Sequence, residues 1–292
     1  MGSTGWQTRV EERLRETGRL PGPVVWRALG QGVGGARWRL TAGDESWFAK
    51  SGDGAVLAAE ADGLEALATT ATLRVPRVEA LDGGDEGFLI AEWLPLTGRG
   101  GGVGARLGEA LAGLHLTPAA GYGWPRHNFI GATPQFNTPA ADWVGFFREQ
   151  RLLFQLRLAA ENGYRGRLQE QGAALAADLP GLFVGYTPKA SLLHGDLWGG
   201  NWGALADGGP AVFDPAVYRG DREADIAMTE LFGGFDREFY AAYRAHAPLE
   251  PGYDVRRDLY NLYHVLNHLN LFGEGYLGQA EGLVQRLLSE LR

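Results

Sequence analysis

The rhythm of hydrophobic and polar positions changes near residue 94. Before it, apolar residues come in short runs at 24–29, 36–41 and 46–50, divided by turn-rich stretches at 30–35 and 42–45. Short runs punctuated by glycine predict antiparallel strands. A helix is expected to follow from Asp53, whose side chain suits an N-cap, to about Leu67, because Leu57, Leu64 and Leu67 share one helical face. Two more strands are predicted at 75–81 and 88–93, separated by Asp82-Gly83-Gly84-Asp85.

Past Leu94 the texture differs. Pro95 and the glycines of 94–104 read as a hinge or linker. Helical stripes then appear: Leu107, Leu111 and Leu114; Trp143, Phe147, Leu153 and Phe154; and Leu259, Leu262, Leu266 and Leu269. Between the second and third stripes, 192–214 is not helical in pattern. The expectation is an α+β fold of two lobes with a cleft between them. Residues 1–93 form a small lobe of antiparallel sheet plus one helix, and 105–292 a larger, mostly helical one.

Composition narrows the picture. With 45% hydrophobic and 21% charged residues in 292, the chain can bury a large core and is not of a disordered class. Acidic residues outnumber basic ones 35 to 27 and no basic cluster appears, which argues against a nucleic-acid partner. The chain holds no cysteine, so thiol chemistry and disulfides are excluded and a reducing compartment fits. Residues 1–14 lack the apolar core of a secretion signal, and Trp6 stands where myristoylation expects a hydroxyl. No apolar run approaches the ~18 residues of a membrane span. A cytoplasmic protein is expected. Lys50 and Lys189 are the chain's only lysines among its 27 basic residues; an isolated lysine marks either a need for a compact ammonium or chance under codon bias.

The candidate chemistry lies in 192–214, LLHGDLWGGNWGALADGGPAVFD. His194, Asp196 and Asn201 follow the spacing H-x-D-L-x-x-x-N of a kinase catalytic loop, with Gly195 where protein kinases place arginine. The runs 202–205 and 211–213, separated by a turn at 206–210, predict a hairpin whose open ends bring Asn201 and Asp214 together. An amide and a carboxylate there offer hard oxygen ligands for magnesium, and Asp196 would face the same cleft as base for a substrate hydroxyl. Alone, Asp196 could cap a turn and Asn201 could hold a bend. Four residues of the right type at matching spacing favour the catalytic reading.

The first lobe offers an independent test. Lys50 ends the third predicted strand, where kinases keep the lysine that meets ATP phosphates. Glu60 falls on the apolar face of the following helix, three residues after Leu57 and four before Leu64, while Asp62 and Glu65 turn away. An inward carboxylate needs a partner, and Lys50 suits; the alternative is that Glu60 bends out to water. Gly30, Gly32 and Gly35 satisfy G-x-G-x-x-G between two strands, which suits a kinase nucleotide loop better than a dinucleotide fold, though among 45 glycines the pattern is weak alone.

From about Val24 to the last helix, the chain resembles the fructosamine-3-kinases (ketosamine-3-kinases), a branch of the aminoglycoside-phosphotransferase group with a protein-kinase-like fold. The resemblance rests most on LLHGDLWGGN at 192–201, where Trp198 separates this branch from many relatives. It rests also on IGATPQFNTPAADWVGFFREQRL at 130–152, on 232–235 with Tyr240 and Tyr243, and on NHLNLFGEGY at 267–276. It implies ATP- and magnesium-dependent phosphorylation of the 3-hydroxyl of a ketoamine, whose product breaks down to free the amine. It further implies Asp196 as base, Asn201 and Asp214 as metal ligands, and Lys50 and Glu60 at the phosphates. Glu92, Trp93 and Leu94 would form the adenine-side hinge, and Trp198 part of the sugar pocket or packing beneath the loop. Asp225 resembles the family's acid that steadies the catalytic loop, and His194 reads as a loop anchor.

Two departures stand out. Asp214-Pro215-Ala216 replaces the protein-kinase Asp-Phe-Gly, as in this family. Val33-Gly34-Gly35 replaces the polar residues that relatives often carry in the nucleotide loop, so phosphate contacts there would come from backbone N–H groups. His264 and His268 are open between helix packing and pocket wall, and Gln135, Asn137 and Asp142 between surface and substrate contact. The competing readings are another small-molecule kinase of this fold, acting on an aminoglycoside or choline, and a non-catalytic nucleotide-binding module.

Overall fold

The alternating runs of the first lobe do form strands. The computed structural model describes residues 5–292; residues 1–4, on which the reading against lipid attachment partly rests, lie outside them. A first helix, α1 (Gly5–Glu16), precedes β1 (Val25–Gly32), β2 (Gly35–Ala42) and β3 (Glu45–Gly52). Helix α2 (Gly54–Thr69) then leads to β4 (Val78–Asp82) and β5 (Gly87–Glu92). The strands make one antiparallel sheet in the order β1-β2-β3-β5-β4. Asp53 caps α2 as expected, its Oδ1 accepting from the N–H groups of Ala55 (2.8 Å) and Val56 (3.3 Å). Alternation along β5 sends Phe88 and Ile90 to one side, where they pack with Val10 and Leu14 of α1, and Leu89 to the other, against Leu57 and Ala61 of α2.

After the sheet the chain runs through β6 (Leu96–Thr97), α3 (Val103–Leu116) and the hairpin β7 (Asn128–Ile130)–β8 (Thr133–Gln135). The segment 94–104 is therefore not featureless: β6 pairs with β10 (Trp202–Leu205) far along the chain. Helices α4 (Trp143–Phe147) and α5 (Leu153–Glu161) are joined by a π-helical turn at Arg148–Leu152. Its wider winding shifts the spacing, so Trp143 and Phe147 are buried while Leu153 and Phe154 sit only half in the core.

Helix α6 (Arg167–Asp178) and strand β9 (Ala190–Leu193) lead to the β10–β11 (Pro210–Val212) hairpin and β12 (Tyr218–Asp221). Helices α7 (Glu223–Leu231), α8 (Arg237–His246), α9 (Tyr253–Phe272) and α10 (Leu277–Glu290) complete the second lobe. The predicted stripe Leu259, Leu262, Leu266 and Leu269 lies wholly inside its core with Trp143, Phe147 and Leu193. A second cluster joins the lobes, packing Leu64 and Leu67 of α2 with Leu107, Leu111 and Leu197. The fold is α+β, an antiparallel sheet lobe against a mostly helical one. Among the described residues no helix is long and apolar enough to cross a membrane.

Candidate active site

Lys50 sits on the third strand of the sheet, opposite Arg37 of β2 and Leu89 of β5. Its Nζ lies 2.7 Å from both oxygens of Glu60 and 2.5 Å from Asp214 Oδ1. Glu60 thus faces inward, as its place on α2 predicts. Burial alone would lower the pKa of an ammonium that is 4% exposed, but the two carboxylates hold Lys50 above its ordinary value and fix it as a cation.

The opposite wall is the loop between β9 and β10. Asp225 on α7, fully buried, accepts from the backbone N–H of His194 (2.7 Å) and Gly195 (2.8 Å), and from His115 Nε2 (3.2 Å). Burial would raise its pKa, but the hydrogen bonds from His115 and the Gly195 N–H hold the carboxyl below the ordinary range. His194 faces the Phe213 carbonyl through Nε2 (3.1 Å); a carbonyl only accepts, so the proton sits on Nε2 and Nδ1 faces the Asp196 N–H at 3.3 Å. Burial lowers the His194 pKa and keeps it neutral, an anchor rather than a proton carrier. Gly195 has φ +82°, and a Cβ there would lie 2.0 Å from the Ala216 carbonyl oxygen. The chain passing behind the loop leaves no room for the arginine of protein kinases.

The hairpin brings Asn201 and Asp214 together. The Phe213 N–H donates to the Asn201 carbonyl (3.0 Å), and Asn201 Nδ2 donates to the Asp196 carbonyl (2.9 Å), Asp196 Oδ2 (3.1 Å) and the Asp214 carbonyl (3.4 Å). With its nitrogen so committed, the Asn201 amide presents its oxygen as the atom for another ligand. Asp214 adopts φ +56°, a left-handed conformation uncommon outside glycine, which a built site can sustain. Burial, then the charge of Asp214, pushes the Asp196 carboxyl up to about 7, against the Asn201 hydrogen bond.

The cleft has two compartments. The more polar one, about 200 Å³, is lined by Lys50, Glu60, Asp196, Asn201, Asp214 and the turn residues Val33 and Gly34. The more apolar one, about 360 Å³, is lined by Leu29, Phe48, Ala91, Phe213, Glu92, Trp93 and Leu94. Glu60, Asn201, Asp214, Trp198 and Arg37 line both. Glu92 is tied to the Arg74 guanidinium and the Arg77 N–H, and Trp93 stacks on the Arg39 guanidinium, 4.5 Å from the ring centroid.

Gly30, Gly32 and Gly35 do not line either compartment. They flank the turn on β1 and β2, and Gly35 is required by the chain itself: with φ +123°, a Cβ would lie 2.1 Å from the Ser51 carbonyl oxygen. Trp198 is 41% exposed, with its ring over Gly200, so it is not packed beneath the loop.

Several polar residues take places that local sequence did not indicate. Gln135 and Asn137 are buried structural groups, neither surface nor substrate contacts: both donate to Asn128 Oδ1 (2.9 and 2.7 Å), and Asn128 donates to the Val217 carbonyl (2.6 Å). Arg151, wholly buried, donates to Asn137 Oδ1 (2.6 Å) and lies 4.2 Å over the Tyr218 ring. Asp142 caps α4 through the Gly145 N–H (2.6 Å). His264 is buried, and burial pushes its pKa down to about 3; His268 lines the polar compartment beside Phe232 (4.7 Å between centroids). Arg37, absent from the sequence expectation, reaches Asp214 Oδ2 at 3.3 Å. Opposed strand positions signal it only once the β2–β3 register is known.

Among the described residues no three His, Cys, Asp or Glu side chains form a complete metal site. Asp214 and Asn201 instead offer two hard oxygens, which fits an ion that draws its remaining ligands from phosphates and water. The arrangement can hold a polyanion between paired cations and a carboxylate base.

Comparison with known proteins agrees with this geometry. The model of the fructosamine kinase family matches residues 24–290. A probable ketoamine kinase of Synechocystis sp. is 41% identical over 290 residues, covering 97% of each chain. A chloroplastic protein-ribulosamine 3-kinase of Oryza sativa subsp. indica is 41% identical over 238 residues, 80% of this chain and 69% of its own. The crystal structure of a candidate fructosamine-3-kinase from Haemophilus somnus superposes with a TM-score of 0.85 at 28% identity, covering 97% of each chain.

Proposed function

The chain belongs to the fructosamine kinase family, and from that premise we propose that it transfers the terminal phosphoryl group of ATP to the 3-hydroxyl of a ketosamine, the sugar adduct of a glycated amine. The observation that carries this reading is the convergence of Lys50, Glu60, Asp196, Asn201 and Asp214 from both walls on one cleft. We assign residues 1–93 to a nucleotide lobe, 94–104 to the hinge and 105–292 to a catalytic and substrate lobe. Adenine enters the apolar compartment at Glu92, Trp93 and Leu94, beneath the Gly30–Gly35 hairpin. Lys50, steadied by Glu60, meets the phosphates.

Asp196 takes the proton of the attacking hydroxyl. Its pKa near 7 suits a base working near neutral pH. Asn201 and Asp214 would hold magnesium, which when bound offsets negative charge on the phosphate oxygens. Trp198 offers its flat apolar face to the sugar, while His194 and Asp225 keep the loop in place. Most of the rate comes from positioning and charge neutralisation. The substrate is a ketosamine on a small molecule or a protein side chain, and a cysteine-free chain suits the cytoplasm, which fractionation tests.

An ADP-release assay with ATP, magnesium and a panel of acceptors tests the reading. Ribulosamine, erythrulosamine or fructosamine derivatives should be turned over. Turnover confined to aminoglycosides or choline would replace the substrate class, and nucleotide binding without turnover on any acceptor would leave only a binding module.

A further inference from the structure

We propose that Arg37 is a second phosphate-binding cation, resting on Asp214 in the free protein and passing to the nucleotide phosphates when ATP enters. This rests on the nucleotide reading of the cleft given above. Arg37 stands directly opposite Lys50 across the β2–β3 ladder, and opposed residues project to the same side of a sheet. The two cations divide one carboxylate: Lys50 Nζ is 2.5 Å from Asp214 Oδ1, and Arg37 Nη2 is 3.3 Å from Oδ2.

Their situations differ in what they can release. Lys50 is buried and held by three close oxygens. Arg37 makes a single long contact with Asp214, and its side chain is 39% exposed. A guanidinium is built to grip two oxygens at once, as phosphate offers, and one contact to a carboxylate leaves most of that capacity unused.

Position supports the same assignment. Arg37 lines both compartments, at the junction a triphosphate must cross to reach Asp196 from the adenine side. Among the described residues lining them, Arg37 and Lys50 are the only arginine or lysine. The turn above carries Val33 and Gly34, with no polar side chain for phosphate, so Arg37 supplies from the strand what the turn lacks. Gly32, the second glycine of the motif, makes this possible: a Cβ there would lie 2.6–2.8 Å from the guanidinium atoms of Arg37. The missing side chain lets the guanidinium lie back across β1 toward the cleft.

The resting contact also places Arg37 on an oxygen that a divalent ion would need. Arg37 and a metal therefore compete for Asp214 in the free protein, and ATP relieves the competition by drawing Arg37 away. Titration calorimetry on wild type, Arg37→Met and Arg37→Lys separates these effects, using ATP in EDTA and, separately, Mn²⁺ alone. Arg37→Met should weaken metal-free ATP by roughly ten- to a hundredfold, with Arg37→Lys between it and wild type. The same Met variant should bind Mn²⁺ more tightly than wild type. If wild type binds ATP and folded Arg37→Met binds it equally well, the proposal is overturned while the nucleotide reading survives. Unchanged or weaker Mn²⁺ binding by Arg37→Met would overturn the resting contact. Failure of wild type to bind ATP would overturn both.

Discussion

On the sheet side of the cleft, Lys50 and Arg37 meet Asp214 directly, and the contacts are between charged side chains of different elements. On the helical side, Asp196 sits in a loop pinned from behind by backbone N–H groups bonded to Asp225, and the groups doing the pinning are fully buried. Charge contacts at a cleft can be exchanged for those of a charged ligand, since ligand phosphates can replace a carboxylate as partner. Buried hydrogen bonds to backbone cannot be exchanged without leaving a polar group stranded. One wall is built to change partners and the other to keep its shape.

The sharpest break in that contrast is Asp196→Asn. It removes the proposed base and leaves both walls standing, so ATP affinity should stay near wild type while kcat falls by roughly 10²- to 10⁴-fold. Binding calorimetry beside steady-state kinetics checks it; full kcat would remove Asp196 from the role of base. Asp225→Ala attacks the fixed wall alone. Stranding the N–H groups of His194 and Gly195 should lower stability by about 2–4 kcal/mol, read in denaturant unfolding. In the protein that remains folded, kcat should fall further than ATP affinity. An equal loss in both would mean the two walls are one unit.

The smallest effect is in pH. In its proposed role as base Asp196 must be ionised, and its pKa is raised to about 7, so kcat/KM should rise tenfold per pH unit below that value and level off above it. The same shift acts on stability with the opposite sign. Between the ordinary aspartate range and pH 7 the folded chain holds a proton that the unfolded chain releases, so this group's contribution to stability declines as pH rises. Asp225 is held low, so its contribution is full above the ordinary aspartate range and is lost as pH falls through its depressed value. Comparing unfolding of wild type and Asp196→Asn from pH 4 to 8 isolates the first trend. A wild-type curve parallel to the variant's would contradict it.

How much of this was legible in the chain depends on distance along it. The Asp53 cap, the inward face of Glu60 and the hairpin joining Asn201 to Asp214 follow from spacings of thirteen residues or fewer, which local periodicity resolves. The Arg37–Asp214 contact spans 177 positions and depends on how the lobes meet. Helix α1 gives the sheet lobe a second helix where the periodicity predicts one; its sequence is dominated by charged and polar residues, and only Trp6, Val10 and Leu14 keep a helical spacing. Gln135 and Asn137 look like surface residues in isolation, and it is Asn128 and Arg151, brought together by the fold, that make their burial affordable. The π-helical turn at Arg148–Leu152 leaves no mark in a pattern read at 3.6 residues per turn.

The most direct test of the convergence of both walls on one phosphoryl transfer is the identity of the product. Phosphorus–proton correlated NMR of a reaction containing ATP, magnesium and a ribulosamine should show a new phosphomonoester coupled to the proton on the sugar's third carbon, formed one for one with ADP. ADP accumulating without any sugar phosphate, or phosphate attached at another carbon, would contradict the account.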